Sequence, residues 1–470
     1  MILFEDYSVY EKRTLAVDDS GNSVTYGDLM TVSESFKNVM KDRSLVMQFC
    51  SNSIGSLFGY LSFMHNKCVP LLIDMKTDKG LISHLIEVYQ PEYLYLPETK
   101  TELIEGKEIL FSTHGYALVK TEFERTQELY EELALLLTTS GSVGSPKLVR
   151  QSYKNIHSNA TSICEYLEID ENERPVTTLP MHYTFGLSVI NSHVLKGAKI
   201  LLTDKSIISK DFWAFAEKEK ATSIAGVPFT YEMLDRIEIY DMELPYLKTL
   251  TQAGGKLSVE LHKVFADYAA KNGKKFIVMY GQTEATARMG YLPADKAIEK
   301  CGSMGIAIPG GSLILIDVNG NVIEEPDVVG EMVYEGDNVT LGYAEKKSDL
   351  SLGDERHGRL ETGDMAKRDA DGYYYVVGRK KRFLKLFGNR VNLDEIDRLV
   401  RSEFGVECAS VGTDGKLITY VTDESLVKDV RVFLSKKTGL NASAFAAVYI
   451  NEIPKNEAGK TLYGKLPSTL

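Results

Sequence analysis

One stretch of the chain has the composition of an anion cradle. Leu135-Leu136-Leu137-Thr138-Thr139-Ser140-Gly141-Ser142-Val143-Gly144-Ser145-Pro146-Lys147 runs an apolar segment into a loop of hydroxyls and glycines that a lysine closes. Glycines let backbone N–H groups converge on a phosphate, hydroxyls add donors, and the lysine adds charge. It is not a Walker loop, because no Gly-Lys-Ser/Thr follows four residues after a glycine. By itself the segment also reads as a flexible connection, so other residues must decide. Near the end, Gly459-Lys460-Thr461 imitates part of a Walker motif, but Pro454 stands where its first glycine belongs. Arg379-Lys380-Lys381-Arg382 looks like a nucleic-acid patch.

The elements that must hold these residues can be read from the apolar pattern. Strands are expected at Ser44–Phe49, Val69–Ile73, Ala198–Thr203, Thr222–Val227 and Lys275–Tyr280, with a helix at Ser53–Lys67 between the first two. Such alternation predicts α/β layers around largely parallel sheets. Between about 302 and 375 the texture changes to short strands with hairpin signals at Asn319-Gly320 and Asp371-Gly372, which predicts an antiparallel β subdomain. After the basic strip comes a mixed α+β tail, so the expected division is a large domain over 1–381 and a small one over 382–470.

Composition narrows the class. The 470 residues are 44% apolar and 26% charged, which suits a globular protein of more than one domain. With 54 basic against 66 acidic residues the net charge is −12, which argues against a broad nucleic-acid footprint. No apolar run approaches the ~20 residues of a membrane span, and the start has no basic-then-apolar leader. Five scattered cysteines (50, 68, 164, 301, 408) without a CxxC pair suggest neither zinc nor disulfides. The expected compartment is the cytoplasm, with no nucleic-acid partner and no membrane span.

Taken in order, the motifs resemble those of the adenylate-forming superfamily of acyl- and aryl-CoA synthetases, peptide-synthetase adenylation domains and luciferases. The loop matches its phosphate loop at Thr139, Ser140, Gly141, Ser142, Gly144, Pro146 and Lys147, with Val143 in place of the usual hydroxyl. Thr25-Tyr26-Gly27-Asp28-Leu29 is similar to T-Y-x-x-L, Lys67-Cys68-Val69-Pro70-Leu71 to G-x-x-x-P-L, and Tyr280-Gly281-Gln282-Thr283-Glu284 to Y-G-x-T-E. Thr362-Gly363-Asp364 matches T-G-D. Gly378-Arg379 with Lys385, Gly388, Arg390 and Val391 matches G-R-x-x-x-x-x-K-x-x-G-x-R-V, and Pro454 through Lys460 matches P-K-x-x-x-G-K. The resemblance spans nearly the whole chain.

The resemblance implies a two-step ligase: a carboxylic acid is joined to the α-phosphate of ATP, pyrophosphate leaves, and the acyl group passes to a phosphopantetheine thiol of coenzyme A or an acyl carrier protein. Glu284, with Thr139, is implied to hold Mg²⁺, a hard ion suited to oxygen ligands, and Thr283 to donate to the α-phosphate. Tyr280, flanked by Gly281 and Gln282, is implied to lie against adenine, edged by Gly254 and Gly255. Asp364 and Arg379 are implied for the ribose, and Lys460 for the charge between carboxylate and α-phosphate. Arg382 takes the place of a hinge about which a mobile C-terminal domain swings, and Lys385 and Gly388 face the thiol tunnel. The gating segment is similar to Leu179–Leu187, but His182 and Tyr183 are shifted by one, so Tyr183 falls where the gating His is common. Phe185, Val227 and Pro228 are expected in the acid pocket, with Phe229 beside them. No acid lies between Pro180 and Lys196 to pair an α-ammonium, which favours a fatty, aryl or hydroxy acid. Two alternatives stand beside this reading: an amino-acid-activating ligase charging a separate carrier protein, and a degenerate nucleotide-binding homologue without turnover.

Overall fold

Helix Ile54–His65 is apolar on every side, and such a helix must be covered on every side. Every residue from Ile54 to Met64 is buried, and helix Thr184–Leu195 is nearly as enclosed. Their cover, in the computed structural model, comes from two sheets. The structure describes residues 3–138, 147–386, 389–413, 415–438, 440–456 and 459–469.

The first sheet has the strand order Gly342–Ala344, Leu148–Ser152, Leu133–Thr138, Val69–Asp74, Leu45–Cys50, Tyr93–Pro97, Tyr116–Lys120, Ile109–Thr113. Its central strands are parallel and its margins antiparallel. In the second, Lys275–Tyr280, Thr249–Gln252, Ser223–Gly226, Pro175–Val176, Ile200–Leu202 and Thr14–Asp18 run parallel in that order. One hydrophobic cluster draws Leu72, Leu135 and Leu137 from the first sheet, Leu15, Ile200 and Leu202 from the second, and Leu57, Leu61, Ile163 and Leu187 from helices. This is the layered α/β architecture that the alternation predicts. The expected strands appear within two residues at each end, and helix Ile54–His65 starts on a Ser53 cap that accepts from Ser56 N.

The chain divides into two compact units, Met1–Ser312 with Tyr334–Leu360 and Leu313–Val333 with Glu361–Leu470. A four-stranded sheet has the order Gly311–Ile316, Gly330–Gly336, Arg359–Arg368, Tyr374–Arg379. Asp371-Gly372 makes the expected turn between its last two strands, which pair antiparallel. Asn319-Gly320 makes a turn closed by Asp317 and followed by a single bridge, Ile316 to Val322, instead of a full hairpin. Gly342–Ala344 leaves this region for the first sheet. In the second unit, helices Leu393–Phe404 and Val427–Thr438 share a core with strands Cys408–Thr413, Lys416–Val421 and Phe445–Tyr449. Leu393–Phe404 begins on Asn392, which accepts from Asp394 N and Glu395 N, and ends at Gly405 with φ +62°. No helix among the described residues is long and apolar enough to cross a membrane.

Candidate active site

Three adjacent parallel strands, Ser223–Gly226, Thr249–Gln252 and Lys275–Tyr280, end in register at one edge, with Gly226 beside Gln252 and Gln252 beside Val278. Loops beyond the carboxyl ends of parallel strands are where α/β sheets hold ligands. Here those loops carry Val227-Pro228, Ala253-Gly254-Gly255 and Gly281-Gln282-Thr283-Glu284. Pro228 opens helix Pro228–Arg236 at the position where a missing N–H costs nothing.

Glu284 is held by groups far away in sequence. Its Oε1 accepts from Tyr343 OH at 2.7 Å, and its backbone carbonyl accepts from Thr340 N (3.0 Å) and Arg356 Nη1 (3.0 Å). Tyr343 stands on Gly342–Ala344, whose antiparallel partner Leu148–Ser152 leads directly out of the hydroxyl-rich loop. Lys147 Nζ therefore lies 3.7 Å over the Tyr343 ring and 3.5 Å from Glu345 Oε1, while the Arg356 guanidinium lies 4.7 Å from the same ring. Two cations and the Glu284 carboxylate converge on one aromatic side chain. Burial, and then the neighbouring Glu284 charge, push the Tyr343 hydroxyl up to about 12, so it stays protonated and donates. Glu284 Oε2 makes no hydrogen bond among the described residues, which leaves an oxygen suited to a hard divalent ion. No set of three metal-ligating side chains occurs among the described residues. Thr139, Ser140, Gly141, Ser142 and Gly144 lie outside the described residues.

Tyr280 ends its strand partly exposed, and its hydroxyl accepts from Gln282 Nε2 at 3.1 Å. Gly281 has no room for a side chain, because a Cβ there would overlap the Ala287 carbonyl. Thr283 starts the short turn Thr283–Ala285. Gly254, at φ +81°, lies against the acid-pocket residues: a Cβ would come within 2.5 Å of Tyr183 OH and 3.0 Å of Val227 Cγ1. A Cβ at Gly255 would sit 3.0 Å from Pro228 Cγ. Phe185, Val227, Ala225, Ala253, Ile277 and Met279 form one buried cluster with Tyr183 packed against it. The expected pocket residues Tyr183, Phe185, Val227 and Pro228 are thus brought together with Gly254 and Gly255. Phe229, expected beside them, lies on helix Pro228–Arg236 and is 48% exposed. His182 Nε2 lies 3.8 Å from Asp74 Oδ2, at the end of strand Val69–Asp74, and its Nδ1 is buried without a partner. Burial lowers the His182 pKa, and Asp74 partly opposes that shift.

The second unit holds the remaining residues. Asp364 and Arg379 face each other across antiparallel strands, and their ion pair is 3.0 Å long with the carboxylate almost fully buried. Arg382 is anchored on four groups: Asp394 Oδ1, Asp397 Oδ2 at 2.8 Å, the Ser410 carbonyl at 2.8 Å and the Tyr463 ring at 3.5 Å. The Lys385 backbone lies in strand Phe383–Leu386, opposite Arg390, while Gly388 lies outside the described residues. Lys460 is exposed on a turn in which its N–H donates to Asn456 Oδ1 and its carbonyl accepts from Asn456 N, both at 2.9 Å, between the bridged residues Lys455 and Thr461.

Tyr343 and Arg356 were not legible as site residues. Tyr343 reaches Glu284 only because Tyr343 pairs with Val149, a contact across almost two hundred residues that no local pattern announces.

Comparison with known proteins gives a consistent result. The model of the family described as "AMP-binding enzyme" matches residues 4–344. A feruloyl-CoA synthase of Amycolatopsis is 26% identical over 430 residues, covering 89% of this chain and 84% of its own. An oxalate–CoA ligase of Arabidopsis thaliana is 28% identical over 389 residues, covering 77% and 72%. The fold is shared with o-succinylbenzoate CoA synthetase of Bacillus subtilis, solved with its acyl-adenylate intermediate, at a TM-score of 0.79 and 19% identity over 97% of this chain and 96% of that one.

Proposed function

Because this chain belongs to the AMP-binding enzyme family, we propose that it is an AMP-forming acid–thiol ligase. It joins a carboxylic acid to the α-phosphate of ATP, releases pyrophosphate, and passes the acyl group to the phosphopantetheine thiol of coenzyme A or of an acyl carrier protein. The observation that carries the reading is the convergence of Lys147, Glu284, Tyr343 and Arg356, with Glu284 on a loop at the same sheet edge as Val227, Gly254 and Gly255. Such an arrangement brings cations and an ion-binding carboxylate to the place where two anions must meet, the main obstacle to adenylation. Relatives named for feruloyl and oxalate substrates activate chemically different acids, so the activity and not the acid is what they support.

The roles follow from side-chain chemistry. Lys147 and the hydroxyl-rich loop hold the triphosphate, and Glu284, fixed by Tyr343, offers a carboxylate oxygen to the Mg²⁺ that accompanies it. Bound Mg²⁺ supplies charge neutralisation on the phosphate oxygens. Thr283 donates to the α-phosphate, Tyr280 lies against adenine, and Gly254 and Gly255 keep the pocket wall thin. Asp364 and Arg379, already paired, present a carboxylate and donors for the ribose hydroxyls. Lys460 neutralises the carboxylate–phosphate junction in the first half-reaction. The domain carrying it, 382–470, pivots at Arg382 so that Lys385 and Gly388 serve the thiol in the second. A cytoplasmic setting suits an enzyme that consumes ATP.

An ATP–pyrophosphate exchange screen over fatty, aryl, hydroxy and amino acids tests the reading. Exchange with at least one acid, dependent on Mg²⁺, is the expected result. A chain that binds ATP and exchanges with none is not a ligase.

A further inference from the structure

Two arginines are almost completely buried in the larger unit, and the protein treats them differently. Arg150 is neutralised by Glu355 and capped by the carbonyls of Tyr343, Leu352 and Gly353. Arg288 is 2% exposed, yet no acidic side chain among the described residues pairs with it. Its Nε donates to Ser188 Oγ (3.2 Å), its Nη1 meets Tyr166 OH (3.2 Å) and Met279 Sδ (3.1 Å), and the guanidinium lies 4.9 Å from the Phe185 ring centroid. Nη2, with two N–H donors, has no hydrogen-bond partner among the described residues. A buried charge without a counter-charge is a costly arrangement.

The backbone beside it is forced to place that side chain. Thr286 has φ +63° and ψ −60°, a conformation that β-branched residues avoid, and Ala287 N closes a tight γ-turn on Ala285 O at 2.7 Å. Buried amides clamp the turn: Asn159 Nδ2 donates to Arg288 O (2.8 Å), and Asn338 Nδ2 donates to Ala285 O (2.9 Å) and Arg288 O (3.1 Å). Beyond the turn, Arg288 lines a small cavity together with Val189, His193, Ala225 and Thr251. Arg288 itself packs on Phe185 and Met279, two members of the cluster that holds Val227 and Ala253, so it borders the expected acid-binding region. Burial pushes His193 down to about 4, which leaves it neutral. Glu173, also on the wall, has its carboxylate on Lys248 and Thr222.

We propose that Arg288 is a specificity determinant whose guanidinium receives a second anionic group, a carboxylate or sulfonate, on the tail of the acid being adenylated. The assignment rests on the ligase reading and narrows it. An anionic tail gives Nη2 charge-assisted bonds, whereas a plain alkyl or aryl tail covers the guanidinium and leaves it unpaired. A site built around such a polar group rejects the analogue that lacks its partner far more strongly than it senses one methylene.

The test is ATP–pyrophosphate exchange by the full chain with length-matched pairs: succinate, glutarate, adipate and 3-sulfopropanoate against butyrate, valerate and hexanoate, and 4-carboxycinnamate against cinnamate. At least one anionic-tailed acid is expected to exceed its uncharged match by ~100-fold in kcat/KM, and the sulfonate arm separates the two anion types. In Arg288→Met that ratio is expected to fall to within ~3-fold, a change of preference that a merely structural role would not produce. Loss of activity with the ratio retained overturns the proposal. Wild-type enzyme that uses the uncharged acids equally well or better also overturns it, while leaving the ligase reading intact. Exchange with no acid at all ends the ligase reading and this assignment together.

Discussion

Tyr343→Phe is the most informative single change, because it deletes one oxygen and keeps the ring. The hydroxyl donates to Glu284 Oε1 at 2.7 Å, a bond to a charged acceptor. Such bonds are worth about 1.5–3 kcal/mol when one partner is removed. At about 1.4 kcal/mol per decade, adenylation should lose roughly 10- to 150-fold in kcat/KM. The ring remains under Lys147 and Arg356, so their cation–π contacts survive. The fold should survive as well, since residues Gly342–Ala344 are held by backbone pairing to Leu148, Val149 and Arg150.

Pyrophosphate exchange measured over a Mg²⁺ series gives the assay, with a thermal melt as the control for folding. The loss should be largest at low Mg²⁺, because the released carboxylate is the group assigned to the ion. Glu284→Gln should be worse alone, and the double variant should lose less than the sum of the two, a coupling of about 1 kcal/mol or more. If Tyr343→Phe stays within ~3-fold of wild type at every Mg²⁺ concentration, or the two changes simply add, then Tyr343 does not position Glu284 and that part of the reasoning fails.

Lys460→Ala should cut acyl-adenylate formation by ~100-fold or more through loss of a charge contact in the transition state; transfer from a preformed adenylate to thiol should continue, and equal loss of both half-reactions would remove the assignment. Arg382→Pro should spare pyrophosphate exchange and impair thioester formation by stiffening the pivot, with Arg382→Ala as the control for the lost anchor on Asp394, Asp397 and Tyr463. Asp397 offers a pH test: burial raises its pKa to about 6, with Arg382 opposing, so the folded state holds its proton more tightly than the unfolded chain. That contribution to stability is complete below about pH 4 and is lost as pH rises through about 6, the reverse of an ordinary salt-bridged carboxylate. Urea titrations from pH 4 to 8 should show Asp397→Asn gaining relative to wild type as pH rises, and a difference that is flat with pH would refute the raised value.

Local chemistry was readable wherever one segment contains it. The strand Lys275–Tyr280 coincides with its apolar run, and the glycines at 254, 255 and 281 stand where backbone or pocket wall comes close. The grouping of Tyr183, Phe185, Val227 and Pro228 could be anticipated because each follows a strand or opens a helix. The clamp on Glu284 could not, since Thr340, Tyr343 and Arg356 come from a segment whose texture resembles its antiparallel neighbours. Only the pairing of Tyr343 with Val149 carries it to the first sheet.

Arg288 shows why the most specific part of such a site is the hardest to read. A run reading Glu-Ala-Thr-Ala-Arg-Met has no hydrophobic period that marks the arginine as buried, and a surface position would be the ordinary expectation for its type. What buries it is the γ-turn at Thr286, and what makes that turn tolerable is the pair of amides, Asn159 and Asn338, brought in from distant helix and loop. A strained β-branched residue and an unpaired buried cation each lower stability, and folds retain such features where function needs them. Their occurrence two residues apart is difficult to explain as packing. The strain directs the cation, and the cation waits for a partner the protein does not supply.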